Sequence, residues 1–267
     1  MDLEYTGPVR KMVSALADPV SYSLPIGDYS LSLDNIIGNS IRFEYDGEII
    51  CVGCGNQTKK SFAQGFCYPC FISSPLTSEC ILRPELCEAH NGVSRDMEWS
   101  DRHCLTEHIV YVALTAGMKV GVTREGQIPT RWIDQGAVET AVLARTPNRH
   151  LAGRIEVCLK SHISDRTSWQ KMLKNDIDPD ADVILSRLNL AELLDHDLTE
   201  YLSIHEDPIS IRYPVLEYPE KVRSLSFDKE SSIEGTLNGI KGQYLYLNDN
   251  RVLNIRKHTG YVLRVLI

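Results

Sequence analysis

Two pairs of cysteines, Cys51 with Cys54 and Cys67 with Cys70, each enclose two residues, and twelve residues separate the pairs. Each pair sits in a glycine-bearing knuckle, CVGCG and GFCYPCF, where the backbone is free to aim amides at thiolate sulfur. Four thiolates presented in this way make a closed, tetrahedral zinc site of the structural kind. A second set is less regular: Cys80, Cys87, His90, His103, Cys104 and His108. Cys87 with His90 offers half a site, and Cys80 with Cys104 would complete it as a second zinc. The eighth cysteine, Cys158, falls on an apolar helix face and is assigned to the core. A chain taken as cytoplasmic and reducing favours metal ligands over disulfides for its cysteines.

The elements that must position these groups follow from periodicity and turn residues. SIRFEYDGEIICV alternates Ile41, Phe43 and Tyr45 against Arg42, Glu44 and Asp46, and Asp46-Gly47 predicts a hairpin turn. From Cys51 to about His103 the chain is loop-like, with little core of its own, so metal staples are expected there. Residues 108–123 give two apolar runs joined at Thr115-Ala116-Gly117, a second hairpin. Thr130 caps a short helix that ends at Gly136, ETAVLART follows as a strand, and Leu151, Ile155 and Leu159 then mark one face of a helix. The acidic stretch 175–182 is a linker, followed by a helical stretch over 183–202. After Pro219, five short strand-like runs at roughly ten-residue spacing suggest a small barrel or compact sheet.

The central segment VYVALTAGMKVGVT, followed by Arg131 and then by Glu156 in a helix, resembles the GIY-YIG nuclease superfamily. The matching triplets are Ile109-Val110-Tyr111, or the overlapping Val110-Tyr111-Val112, and Lys119-Val120-Gly121, within roughly residues 107–172. The first glycine of the pattern is absent, Lys119 stands at its second tyrosine, and Asn175 is the candidate for its late asparagine. The resemblance implies metal-dependent phosphodiester hydrolysis, a nuclease and hydrolase chemistry. Glu156 would hold magnesium or manganese, Arg131 would contact phosphate, and Tyr111 or Lys119 would manage the proton. Arg149 and Lys160, near Glu156 at helical spacing, would meet flanking phosphates. The stretches PELCEAH, HCLTEHIVYVALTAGMKVGVTREGQIPTRWIDQGA, GIKGQYL and NIRKHTGY are also similar to an uncharacterised bacterial family, domain of unknown function 2797. Val93-Ser94 stands where other members of that family carry a Thr-Cys.

Charge and composition bound the class. Hydrophobic residues make up 43% and charged residues 24% of 267 residues, which excludes disordered, fibrous and membrane-spanning proteins. The net charge of −8 disfavours nucleic acid at first sight. Residues 106–175, however, carry ten basic against six acidic residues, between two acidic flanks. Near the C-terminus, Tyr244, Tyr246, Arg256, Lys257 and His258 could support stacking and phosphate contact by a small barrel. The sequence therefore predicts an α+β protein in three regions. A β-rich, zinc-stapled region spans residues 1–105, a GIY-YIG-like β-hairpin/α/β/α core 106–175, and a helix with a small β-barrel-like region 176–267. The expected role is nucleic-acid processing on DNA or RNA. The alternatives are a catalytically inactive zinc-stabilised DNA- or RNA-binding protein, associated with tRNA or the ribosome, and a scaffold that binds a protein partner through its acidic flanks.

Overall fold

A computed structural model describes residues 3–163 and 168–267 of the chain. It is a mixed α+β fold, rich in strand, with three sheets and short helices. No helix among the described residues is long and apolar enough to cross a membrane. The chain divides into two compact units and not the three consecutive regions expected from sequence. One unit comprises residues 1–72, 133–136 and 211–267; the other comprises 73–132 and 137–210. The cause is long-range strand pairing, which brings the two ends of the chain into one sheet.

The early part of the first unit supplies β1 (Glu4–Pro8), β2 (Val13–Ala15), β3 (Ser21–Ile26), β4 (Tyr29–Ser32) and β5 (Ser40–Ile49), and then α1 (Tyr68–Ser73). In the second unit follow α2 (Met97–His103), β6 (His108–Leu114), β7 (Met118–Arg124), the start of α3 (Thr130–Asp134), whose last two residues belong to the first unit, β8 (Glu139–Thr146), α4 (Arg149–Lys160), α5 (Trp169–Lys174), α6 (Val183–Ala191) and β9 (Ile209–Ser210). The chain then returns to the first unit with β10 (Arg223–Leu225), β11 (Ser232–Lys241), β12 (Tyr244–Leu247), β13 (Arg251–Asn254) and β14 (Tyr261–Leu266).

In the first unit a seven-stranded sheet runs β1-β14-β5-β11-β12-β13-β10, beside a three-stranded sheet β2-β3-β4. All five strand-like runs after Pro219 form strands, but they join the N-terminal strands in this sheet and make no separate barrel. The expected hairpin at Asp46-Gly47 is not formed, because β5 continues straight through it. Gly47, at φ +93°, sits where the register with β14 shifts between the pairs Ile49–Tyr261 and Tyr45–Leu263. Asp-Gly here makes a bulge in the ladder with β14, just beyond the residues of β5 that pair with β11.

A buried polar network lies in this unit. Asp134 accepts from Lys11 Nζ at 2.9 Å and from Gln243 Nε2 at 2.8 Å. Gln243 also bonds both backbone groups of Met12, accepting from its N–H at 2.7 Å and donating to its carbonyl at 3.0 Å. Nearby Lys241 is fully buried, its Nζ 5.3 Å and 5.6 Å from the rings of Tyr213 and Tyr218.

In the second unit the sheet runs β7-β6-β8-β9. Val110, Val112 and Leu114 of β6, with Val120 of β7 and Ala141 and Leu143 of β8, pack against Ala152, Ile155 and Leu159 of α4 and Val183 and Leu190 of α6. The i, i+3, i+7 spacing of 152, 155 and 159 gives α4 its apolar stripe. Asn148 caps the helix, its side chain accepting from Leu151 N at 3.0 Å. On another side of α4, Gly153 lies against the turn at Pro84–Leu86, and an added Cβ would stand 2.1 Å from Glu85 N.

Two outcomes follow. Gly153→Ala should destabilise the protein by about 1–3 kcal/mol, since backbone of the facing turn must move, and a denaturant midpoint measures it. Burial lowers the Lys241 ammonium to about 7, below its ordinary 10.5. Between those values the unfolded chain holds a proton that the folded chain lacks, so stability rises with pH, by at most about 1.4 kcal/mol per pH unit. Unfolding of wild type and Lys241→Met between pH 6 and 10 should show a steeper rise in wild type.

Candidate metal centre and nucleic-acid surface

The segment after β5 has no apolar core of its own, and its cysteines converge instead. The Sγ atoms of Cys51, Cys54, Cys67 and Cys70 all lie within 4.8 Å of one another, the one such group among the described residues. Cys54 and Cys67 sulfurs are 3.8 Å apart, the spacing that ~2.3 Å zinc–sulfur bonds give at a tetrahedral angle. The amides of Gly53 and Cys67 donate to Cys51 Sγ at 3.4 Å and 3.1 Å. Burial alone would raise the Cys51 thiol, but the amides of Cys67, Cys54 and Gly53 outweigh it and hold the thiol at about 6. Chiefly through its hydrogen bond with the Cys67 thiol, Cys70 moves the other way, to about 12. A thiolate ready-made at Cys51 and amides aimed at sulfur are what a divalent soft-to-borderline cation requires. The donor set fits zinc, and no cysteine of the chain is in a disulfide.

The same loop carries an aromatic surface. Phe62 lies 5.5 Å from Tyr68 and 5.8 Å from Phe71, stacked on the latter, and Lys60 Nζ stands 5.2 Å from the Phe62 ring. Tyr68 is 57% exposed. Arg256 reaches the loop by donating from Nε to Gln64 Oε1 at 2.6 Å. No acidic residue occurs between Glu48 and Glu79. Its signal in the sequence was the interleaving of KK, F and FCYPCF, overshadowed by the cysteines themselves.

The second cysteine set is placed differently from expectation. Cys80, Cys87 and Cys104 pack into one small cluster with Ala89, Trp99 and Leu105. His90 instead stacks on His150, the ring centroids 4.4 Å apart. His103 stacks on Trp99 at 4.1 Å, its Nδ1 2.8 Å from the Trp99 carbonyl oxygen. His108 is buried with Nδ1 2.7 Å from the Thr106 carbonyl oxygen, and burial lowers it to about 4, so it is a neutral core histidine. Arg149 is no phosphate contact. It is buried, with Nη1 3.8 Å from Cys80 Sγ and Nη2 donating to the His103 carbonyl at 3.1 Å. Cys158 is half-buried and its thiol donates to the Leu193 carbonyl at 3.7 Å, so it is not plain core.

The four residues assigned to phosphodiester chemistry do not share one face. Tyr111 is fully buried, its ring 5.9 Å from Trp132 and its hydroxyl lying over Gly121, the cross-strand partner whose missing Cβ leaves the room. Lys119 pairs with Ala113 and so lies on the Tyr111 face of the sheet. Val110, Val112 and Val120, on the opposite face, meet α4. Glu156 belongs to α4, where Lys160 Nζ stands 3.6 Å from its Oε2. Tyr111 and Lys119 are thus separated from Glu156 by the sheet, and Arg131, half-buried, sits on α3 beside Trp132. Of the C-terminal basic pair, Lys257 is engaged by Asp228 at 3.1 Å and Ser226 at 2.9 Å.

The fold and the thiol centre define a mixed α+β protein with a four-cysteine cluster able to hold a metal ion such as zinc. Residues 38–263 match the model of the family described as Protein of unknown function (DUF2797), and the chain belongs to that family. No curated protein and no solved structure matches the chain.

Purified protein should carry zinc at the first centre. Cys51→Ser should lower the zinc content by one equivalent per chain and make the loop 51–72 the first site of proteolysis, measured by metal analysis and limited digestion.

Proposed function

We propose that the protein is a zinc-stabilised nucleic-acid-binding protein that engages single-stranded segments on the face of its first thiol loop. The observation that carries this reading is the acid-free loop itself, where Lys59, Lys60 and Arg256 flank the clustered rings of Phe62, Tyr68 and Phe71. Bases stack on such rings at about 1–3 kcal/mol each, while cations follow the phosphates. The strand-strand-helix-strand-helix order of the second unit supports a GIY-YIG-like fold. The Tyr111 hydroxyl packed over Gly121 supports it too. Binding without cleavage is the better reading, because metal-dependent hydrolysis would need Glu156 beside Arg131 and Tyr111, and the sheet lies between Glu156 and Tyr111.

Fluorescence anisotropy with single-stranded DNA and RNA tests the proposal. Affinity should fall steeply with salt, and Tyr68→Ala or Lys60→Ala should weaken it about tenfold. Salt-independent or absent binding would favour a protein partner. Cleavage with magnesium or manganese that Glu156→Ala abolishes would restore the nuclease reading.

A further inference from the structure

Three of the four thiols of the second unit, Cys80, Cys87 and Cys104, pack into one small cluster with Ala89, Trp99 and Leu105. Cys87 and Cys104 are 3% and 1% exposed, and Cys80 sits half-buried in the short turn Glu79–Ile81. The guanidinium of Arg149, itself buried, is 3.8 Å from Cys80 Sγ and 5.8 Å from the Trp99 ring. A cavity of about 400 Å³ opens against all three cysteines, walled also by Trp99, Glu88 and Arg95.

We propose that Cys80, Cys87 and Cys104 bind a second zinc ion whose fourth coordination position opens into this cavity, with Arg149 as its buried counter-charge. Zinc would enter by displacing three thiol protons to solvent, leaving a centre of net charge −1. The buried guanidinium of Arg149, 3.8 Å from Cys80 Sγ, offsets that charge where an unbalanced ion would be costly. His90, the fourth ligand expected from sequence, is stacked on His150. Three protein ligands and an open position distinguish this centre from a closed staple. The open position would hold a water that a small neutral donor such as imidazole can replace. Cys80 is the thiol with freedom to close on the ion, since the set is not drawn as tight as the first cluster, whose sulfurs all lie within 4.8 Å.

The site stands independently of nucleic-acid binding, and its test reads metal alone. Full-length protein should carry two zinc ions per chain, and Cys80→Ser, a change at a half-exposed turn, should carry one. After exchange of zinc for cobalt, the difference spectrum between wild type and Cys80→Ser should show thiolate-to-cobalt charge transfer. Imidazole should shift the visible bands of that difference. Arg149→Gln should lower the second metal's affinity at least tenfold without altering the first. One zinc per chain in wild type would overturn the proposal, as would a disulfide between Cys80 and Cys104 found by mass spectrometry after alkylation. Bands unmoved by imidazole would overturn the open position.

Discussion

Strand β5 is hydrogen-bonded along both edges, to β14 on one side and to β11 on the other, and the first unit depends on that double pairing. β14 in turn holds β1, so one central strand ties together segments from both ends of the chain. Because side chains alternate, a slip of one residue would turn Ile41 and Phe43 out of the core. The bulge at Gly47 absorbs the extra residues of the ladder with β14. Beyond it Ile50 still donates to the Gly260 carbonyl at 2.7 Å, and Gly260 donates to Val9 at 2.8 Å. Cys51 therefore starts from a fixed backbone, and the loop that follows needs only the thiol cluster to close it.

What could be read in the sequence was local. The order of elements in residues 108–160 follows from apolar spacing and turn residues, and the four thiols follow from their spacing. The misses share one cause, which is pairing with residues far away in the chain. Asp46-Gly47 has the local chemistry of a turn, but pairing with β14 before and after it makes a continuous strand more stable than a hairpin. The C-terminal strands alternate as a barrel's would, yet their free edge is taken by strands more than two hundred residues earlier. Tyr111 was assigned to catalysis by its place in a motif, and only the packing of α4 shows that Glu156 lies on the other face of the sheet.

Charge was the least legible property, because a formal count does not distinguish a cation in water from one already paired. The central segment is net basic, but four of its ten cations are spent within the second unit. Arg145 bonds Glu206 at 2.7 Å and also Glu107 and Glu125. Arg154 pairs with Asp197 at 2.7 Å, Lys160 with Glu156 at 3.6 Å, and Arg149 is buried. The N-terminal region is acidic by count, yet its thiol loop has lysines and no carboxylate. An anionic partner responds to local potential within a Debye length of about 8–10 Å, and so to that loop rather than to the segment with the better sum.

The two thiol sets differ in how they handle negative charge, and that difference explains which residues surround each. Zinc with four thiolates carries −2, which only solvent and oriented dipoles can spread. The first set accordingly lies at the surface, with Cys54 exposed and amides of Gly53 and Cys67 directed at Cys51. The second set is mostly buried, where water cannot help and a full positive charge is required. Arg149 supplies it, and the same burial removes Arg149 from any phosphate. The guanidinium is buried against a thiol, a carbonyl and an indole face and is not presented on the surface as a phosphate contact would be. Its placement in the helix beside Glu156, which suggested nucleic acid in the sequence, is in the structure an answer to three cysteines from a distant part of the chain.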